Sequence, residues 1–192
     1  MRQWTALFFK SFGILAIVVN FSSCSFFVRE PGNPPKIEGV PIPDSQRTIY
    51  IQNFRNASYA PALHTILTQY LIGEIDRRGR FIQTRDKFRA NYRVYGELVH
   101  YQIVGNLMDT GDQHLSSEIF AVAKIELQNA VTGERINLQR TEIPGRAFFS
   151  RQMGYRETES QAQDRMARVM AVKIAEELER AWYFSIAKNI DE

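Results

Sequence analysis

The chain has 192 residues, 44% of them hydrophobic and 23% charged, with 24 Lys and Arg against 21 Asp and Glu. That length suits one domain with a real core, and the near balance of charge argues against a nucleic-acid surface, which concentrates basic residues. A single cysteine, Cys24, excludes a disulfide within the chain.

Residues 1–23 read as a secretory signal peptide. Arg2 and Lys10 give a positive start, the run from Phe12 to Val19 gives a short apolar core, and small residues close it before Cys24. A transmembrane helix needs roughly 20 apolar residues. The apolar run here ends at Phe21, and Lys10 blocks its extension backwards. Phe21-Ser22-Ser23-Cys24 resembles the bacterial lipobox, which usually has Leu, two small residues and Cys; Phe21 and Ser23 depart from that pattern. The resemblance implies a mature chain that begins at Cys24 with acyl chains on its sulfur and its amine. Each buried methylene adds roughly 0.8 kcal/mol of membrane affinity, so several chains anchor stably. Plain secretion with an accidental cysteine is the alternative. Removing the first 23 of 192 residues leaves 169, and with Arg2 and Lys10 gone the formal charge falls from +3 to +1.

Residues 24–46 read as a Pro-rich tether. Pro31, Pro34, Pro35, Pro41 and Pro43 come with Gly32 and Gly39. Proline lacks the N–H that a ladder or a helix interior needs, so such a stretch is extended and semi-rigid. Its apolar residues Ile37, Val40 and Ile42 have a second reading, packed along the domain.

Thr48 to Phe54 alternates β-branched and aromatic residues, as a strand does, and Asn53 and Asn56 supply turn chemistry. A helix is expected from about Ala60, with Pro61 in its first turn and Leu63, Ile66, Leu67, Tyr70, Leu71 and Ile75 on one face. Gly79 is placed to end it, just after the basic pair Arg77-Arg78, where cations complement the helix dipole. Phe81 to Thr84 is a short strand. Ala90 to Val104 is a longer one, with Tyr92, Val94, Gly96 and Leu98 on one face and Arg93, Tyr95, Glu97 and Val99 on the other. Gly105 to Gln113 is a polar loop. Ser116 to Gln128 returns, with Ile119, Ala121, Ala123, Ile125 and Leu127 facing one way and Phe120, Val122, Lys124 and Glu126 the other. The turn Asn129 to Glu134 leads into a strand from Arg135 to Gln139. The piece around Pro144-Gly145 and Phe148-Phe149 is not assigned to an element. A long helix, about Thr158 to Phe184, closes the chain with Ala167, Met170, Ala171, Ile174, Leu178 and Ala181 on its apolar stripe.

Two amphipathic helices need a sheet to bury against. The expected fold is α+β, a two-layer sandwich with a four- to five-stranded mixed sheet and both helices on one face. The opposite face then carries Arg93, Tyr95, Val99, Phe120, Val122 and Lys124, more apolar than a solvated sheet face requires. The expected organisation is a signal peptide over 1–23, the lipidated Cys24 and tether over 24–46, one domain over 47–184 and a tail over 185–192.

This ordered set resembles the LptE family of lipopolysaccharide-assembly lipoproteins. It comprises the lipidated Cys, the Pro-rich lead, Thr48-Ile49-Tyr50-Ile51-Gln52-Asn53-Phe54 followed by Asn56, and a helix ending in Asp76-Arg77-Arg78-Gly79-Arg80-Phe81. It continues with Ala90-Asn91-Tyr92-Arg93-Val94-Tyr95-Gly96-Glu97, the hairpin Val131-Thr132-Gly133-Glu134 and a closing helix that reaches Trp182-Tyr183. The resemblance covers about residues 45–184. It implies an outer-membrane lipoprotein on the periplasmic side, with an outer-membrane β-barrel partner (LptD-like) and lipopolysaccharide as ligand. No cofactor is expected, and the near-neutral mature charge speaks against a nucleic-acid partner. Arg93 and Lys124 are the expected lipid-phosphate contacts on chemical grounds, a guanidinium and an ammonium beside apolar side chains. The strand-helix-strand start ending in Gly79-Arg80-Phe81 is also similar to curli-type secretion-channel lipoproteins and to the N-terminal domain of Tol-system proteins.

Enzyme chemistry finds little footing. His64, His100 and His114 are scattered over a helix, a strand and a loop, without metal-site spacing. Gly105 to Gly111 lacks the Lys and Ser/Thr of a phosphate-binding loop. An acylated Cys24 has no thiolate to offer. Glu97 and His100, an imaginable acid–base pair, fall on opposite faces of an unbroken strand. Met166 and Met170, four apart on the last helix, read as core.

Overall fold

A computed structural model of the chain describes residues 35–37, 39–108, 114–150 and 157–190. The expected signal peptide, Cys24 and the first part of the tether lie outside the described residues, as does the tip of the Gly105–Gln113 loop.

In chain order the elements are β1 (Lys36–Ile37), β2 (Val40–Pro41), a 3-10 turn (Asp44–Gln46), β3 (Thr48–Ile51), β4 (Arg55–Asn56), α1 (Leu63–Arg78), β5 (Ile82–Gln83), β6 (Tyr92–Met108), β7 (His114–Asn129), β8 (Arg135–Ile136), β9 (Glu142–Ser150) and α2 (Glu159–Ile190). β1 and β2 form a small antiparallel pair. The rest make one mixed sheet. β3 runs parallel to both β5 and β6, while β6, β7, β8 and β9 are antiparallel. The sheet has seven strands rather than four or five. The difference is one of breaks. β3 and β4 pair successive parts of β6, and β8 and β9 pair successive parts of β7.

Both helices lie on one face. Val94, Leu98, Ile119, Ala121, Ala123 and Leu127 are fully buried beneath them, together with Leu63, Leu67, Leu71 and Ile75 of α1 and Met170, Ile174 and Leu178 of α2. The i, i+4 spacing of the α1 leucines puts them on a single stripe. Thr68 is buried on that stripe because its hydroxyl is satisfied twice: Oγ1 donates to the His64 carbonyl at 2.7 Å and accepts the Phe54 N–H at 3.0 Å. Gly79 ends α1 at φ +66°, its N–H bonded to the Ile75 carbonyl at 3.2 Å. The helix starts at Leu63, two residues beyond Pro61, because Ala62 sits at φ +58° and turns the chain into it.

Arg47 fixes the approach to β3. Its guanidinium reaches Asp44 at 2.6 Å and the carbonyls of Gly79 and Arg80 at 2.9 and 3.2 Å, joining the 3-10 turn to the end of α1. Ile37 and Ile42 enter the core, while Val40 stays exposed. β9 is the piece that the sequence alone does not assign to an element. Ile143, Gly145, Ala147 and Phe149 face inwards, and Glu142, Pro144, Arg146 and Phe148 alternate with them outwards. Pro144 argues against a central strand, but β9 is an edge and tolerates a missing donor. Two carbonyls of β9 are covered from α2: Pro144 accepts from Lys173 Nζ at 3.4 Å and Phe148 from Arg165 Nη2 at 2.7 Å. α2 itself continues to Ile190, past the expected end near Phe184. Among the described residues no helix is long and apolar enough to cross a membrane.

Candidate functional site

The face of the sheet away from the helices is uncovered, and a β-bulge organises it. Leu98 pairs with Ala123 and His100 with Val122, leaving Val99 as the extra residue. Before the bulge the even residues of β6 face the core; after it the odd ones do. Tyr101 therefore points inwards, where its hydroxyl donates to Glu159 Oε1 of α2 at 2.7 Å and accepts from Gln163 Nε2 at 2.6 Å. His100 points outwards, with its ring 5.5 Å from that of Phe120. Glu97 and His100 thus share the outer face, contrary to the reading of an unbroken strand. The bulge supplies the half-turn that alternation alone does not anticipate.

The half of this face before the bulge holds a groove of about 670 Å³. Gln52 and Arg55 line it from β3–β4, Tyr95 and Glu97 from β6, and Lys124 and Glu126 from β7. Arg135, Asn137 and Thr141 close it from β8 and the segment after it. That volume lies within the roughly 300–1,000 Å³ usual for ligand sites. Lys124 is exposed, between Glu97 across one strand pair and Glu142 across the other. Arg135 is held by Glu126 at 2.8 Å. Neither Lys124 nor Arg55 has an ion pair or a side-chain hydrogen bond among the described residues. The groove therefore carries both signs of charge, with two cations free to meet an anionic ligand and several uncharged donors and acceptors for hydroxyl groups.

Arg93 also lies on this face but does not line the groove. It pairs in register with Tyr50 and Gln128, and its Nε donates to the Lys87 carbonyl at 3.0 Å. Lys124 sits opposite Glu97, four residues along β6 from Arg93, a distance of about 13 Å at the rise of a strand. Arg93 and Lys124 are not brought together. The cation near Lys124 is Arg55, which the sequence hid because the expected strand ended at Phe54.

The half beyond the bulge is more apolar. Arg146 of β9 stacks over Phe120 with Cζ 5.2 Å from the ring centroid and reaches Glu118 at 3.7 Å. Phe148 beside it is 58% exposed.

Three solved structures are similar to the chain at TM-scores below 0.5. A hypothetical protein of Chlamydia trachomatis matches at a TM-score of 0.48 and 8% identity, over 69% of this chain and 98% of its own. Lipoprotein B of Nitrosomonas europaea matches at 0.46 and 15% identity, over 72% and 84%. A lipoprotein of Neisseria meningitidis matches at 0.43 and 10% identity, over 67% and 98%. No curated protein sequence matches the chain. The family model described as LptE, lipopolysaccharide-assembly, matches residues 46–181, from the end of the 3-10 turn into α2, and so takes in the seven-stranded sheet, α1 and most of α2. The chain belongs to the LptE lipopolysaccharide-assembly family.

Proposed function

We propose that the protein is a non-enzymatic outer-membrane lipoprotein that partners a β-barrel translocon from the periplasmic side and assists lipopolysaccharide assembly. The observation that carries this reading is the family match over residues 46–181, the main sheet with α1 and most of α2. Acyl chains on Cys24 hold the domain at the membrane, and the Pro-rich stretch that follows tethers it, with Ile37 and Ile42 packed into the domain core. The outer face meets the ligand. Lys124 and Arg55 pair with its phosphates or carboxylates, a charge-assisted contact of the stronger kind. Arg93 is a further contact along the same face. Tyr95, Gln52 and Asn137 line the same groove and suit hydroxyl-rich sugar.

A photo-crosslinking amino acid at Lys124, in living cells, tests the reading. The expected products are a lipopolysaccharide adduct and co-purification of a large barrel protein after detergent extraction. A protein that captures neither, in cells whose surface lipopolysaccharide is normal after its depletion, refutes it. Labelled palmitate incorporated by the wild type and lost in Cys24→Ala tests the anchor separately.

A further inference from the structure

A second pocket, of about 430 Å³, lies between β1, Arg80 just beyond the end of α1 and the stretch of α2 from Glu176 to Tyr183. Its charges are unusual in kind. Lys36 and the Arg80 side chain line it, and neither has an ion pair or hydrogen bond among the described residues. Glu179 lines it too. One Glu179 oxygen, Oε2, is held by Arg78 Nη1 at 3.1 Å, but Oε1 is buried with no donor among the described residues. A buried carboxylate oxygen left without a donor is costly, and a donor that arrives with a ligand relieves that cost. Trp182 lines the pocket from α2, and Tyr183 at its rim begins an exposed aromatic pair with Phe184, the rings 6.0 Å apart and near perpendicular.

We propose that this pocket binds the headgroup of a phospholipid that carries both a phosphate and a primary ammonium, the phosphoethanolamine type. The phosphate meets Lys36 and Arg80, and the ammonium donates to Glu179. Arg180 and Glu176 also line the pocket, but Arg180 is held by Glu177 and Gln139 and the exposed Glu176 by Arg78. Two unpaired cations and the buried unpaired oxygen of Glu179 match a zwitterion, and a simple anion would leave Glu179 unsatisfied. The exposed Tyr183–Phe184 pair favours a lipid over a free phosphate compound, because a tyrosine, apolar with a polar hydroxyl, suits a membrane–water interface and the exposed phenyl ring of Phe184 suits acyl chains. Pro35, which also lines the pocket, is the eleventh residue after Cys24, so the site lies close in sequence to the proposed anchor. The inference does not depend on the outer-face groove or on a barrel partner.

The test is calorimetric titration of the purified full chain in a non-ionic detergent. The probes are dihexanoyl phosphatidylethanolamine, dihexanoyl phosphatidylcholine and water-soluble phosphoethanolamine. The expected result is saturable binding of the first, about tenfold tighter than the second, whose trimethylated nitrogen has no N–H for Glu179. Lys36→Gln and Arg80→Gln should each weaken that binding by about threefold or more while the melting temperature stays unchanged, since both side chains are exposed and unpaired. Equal affinity for the two lipids, an absence of saturation, or a double variant that binds like the wild type overturns the proposal. Phosphoethanolamine that binds as tightly as the lipid overturns the membrane source.

Discussion

Gly145 of β9 lies directly against Met170 of α2: a Cβ on Gly145 would stand 2.3 Å from the Met170 sulfur and 2.6 Å from its Cγ, with Met166 Cγ at 2.9 Å. Both methionines are fully buried, so neither has room to swing aside. This contact sets how closely α2 approaches the sheet. Gly145→Ala should cost about 1–3 kcal/mol by overpacking. Gly73, mid-helix in α1, has nothing within 4 Å of the same built atom, and Gly73→Ala should stabilise by up to about 1 kcal/mol through helix propensity. Urea denaturation of the two variants checks both signs. A Gly145→Ala protein as stable as wild type would mean that α2 does not sit where the contact requires.

Glu177 is the buried acid that holds the β8–β9 segment in place. It is 3% exposed, and its Oε1 accepts the backbone N–H groups of Gln139 at 2.5 Å and Arg140 at 3.0 Å, while Oε2 meets Arg180 at 3.2 Å. Glu177→Ala leaves both N–H groups without an acceptor, at about 1–3 kcal/mol for each group that stays buried. Glu177→Gln keeps an acceptor oxygen and should lose less. Because Asn137 and Thr141 in that segment line the outer groove, Glu177→Ala should also weaken ligand capture at Lys124. Chemical denaturation and crosslinking yield should fall together; a loss of stability with undiminished crosslinking would separate the segment from the groove.

The alkaline limb of stability should report Tyr101. Burial first, then the nearby Glu159 carboxylate, pushes its hydroxyl up to about 12, while the hydrogen bond from Gln163 pulls the other way. A tyrosine in the unfolded chain titrates near 10. The folded state thus holds the proton more tightly than the unfolded state. Its contribution is complete below pH 10 and is lost as the pH rises from 10 to 12. Tyr70, raised chiefly by its hydrogen bond to Asp164, and Tyr92, raised by burial, act in the same direction. Thermal melts should therefore fall less steeply across that window in Tyr101→Phe than in the wild type. Parallel slopes would show that the Tyr101 hydroxyl is not held as described.

Much of this architecture is legible in the sequence, for reasons that differ by element. The α1 stripe and the β7 alternation are visible because each buries one continuous face, so period and burial coincide at Leu63–Ile75 and at Ile119–Leu127. β9 is harder to see because Pro144 and Gly145 argue against a strand, and Pro144 is tolerated only through an edge position that sequence does not reveal. The candidate site is legible in part. Lys124 is visible as a cation on the outward phase of β7. Arg55 is not, because β4 is a two-residue strand that exists only by pairing with Glu97 and Leu98 of β6. Arg93 is on the expected face, yet its tie to the Lys87 carbonyl comes from a loop whose path the sequence does not give.

The bulge at Val99 yields the sharpest test of register. Deleting any ordinary strand residue flips every following side chain to the other face. Val99 is different, because it opposes no residue of β7: Leu98 already pairs with Ala123 and His100 with Val122. Deleting it joins two ladders that are already in phase, so Tyr101 keeps its place against Glu159 and Gln163 and His100 stays beside Phe120. The Val99 deletion should fold, with stability lowered by no more than about 1–2 kcal/mol through the lost side chain and local bend. Deleting Ile125 of β7, which opposes Gly96 directly, should abolish folding, because it puts the two parts of β7 out of phase with each other against β6. Circular dichroism and amide hydrogen exchange distinguish the two outcomes. Equal tolerance of both deletions, or equal failure, would show that β6 and β7 do not pair in this register.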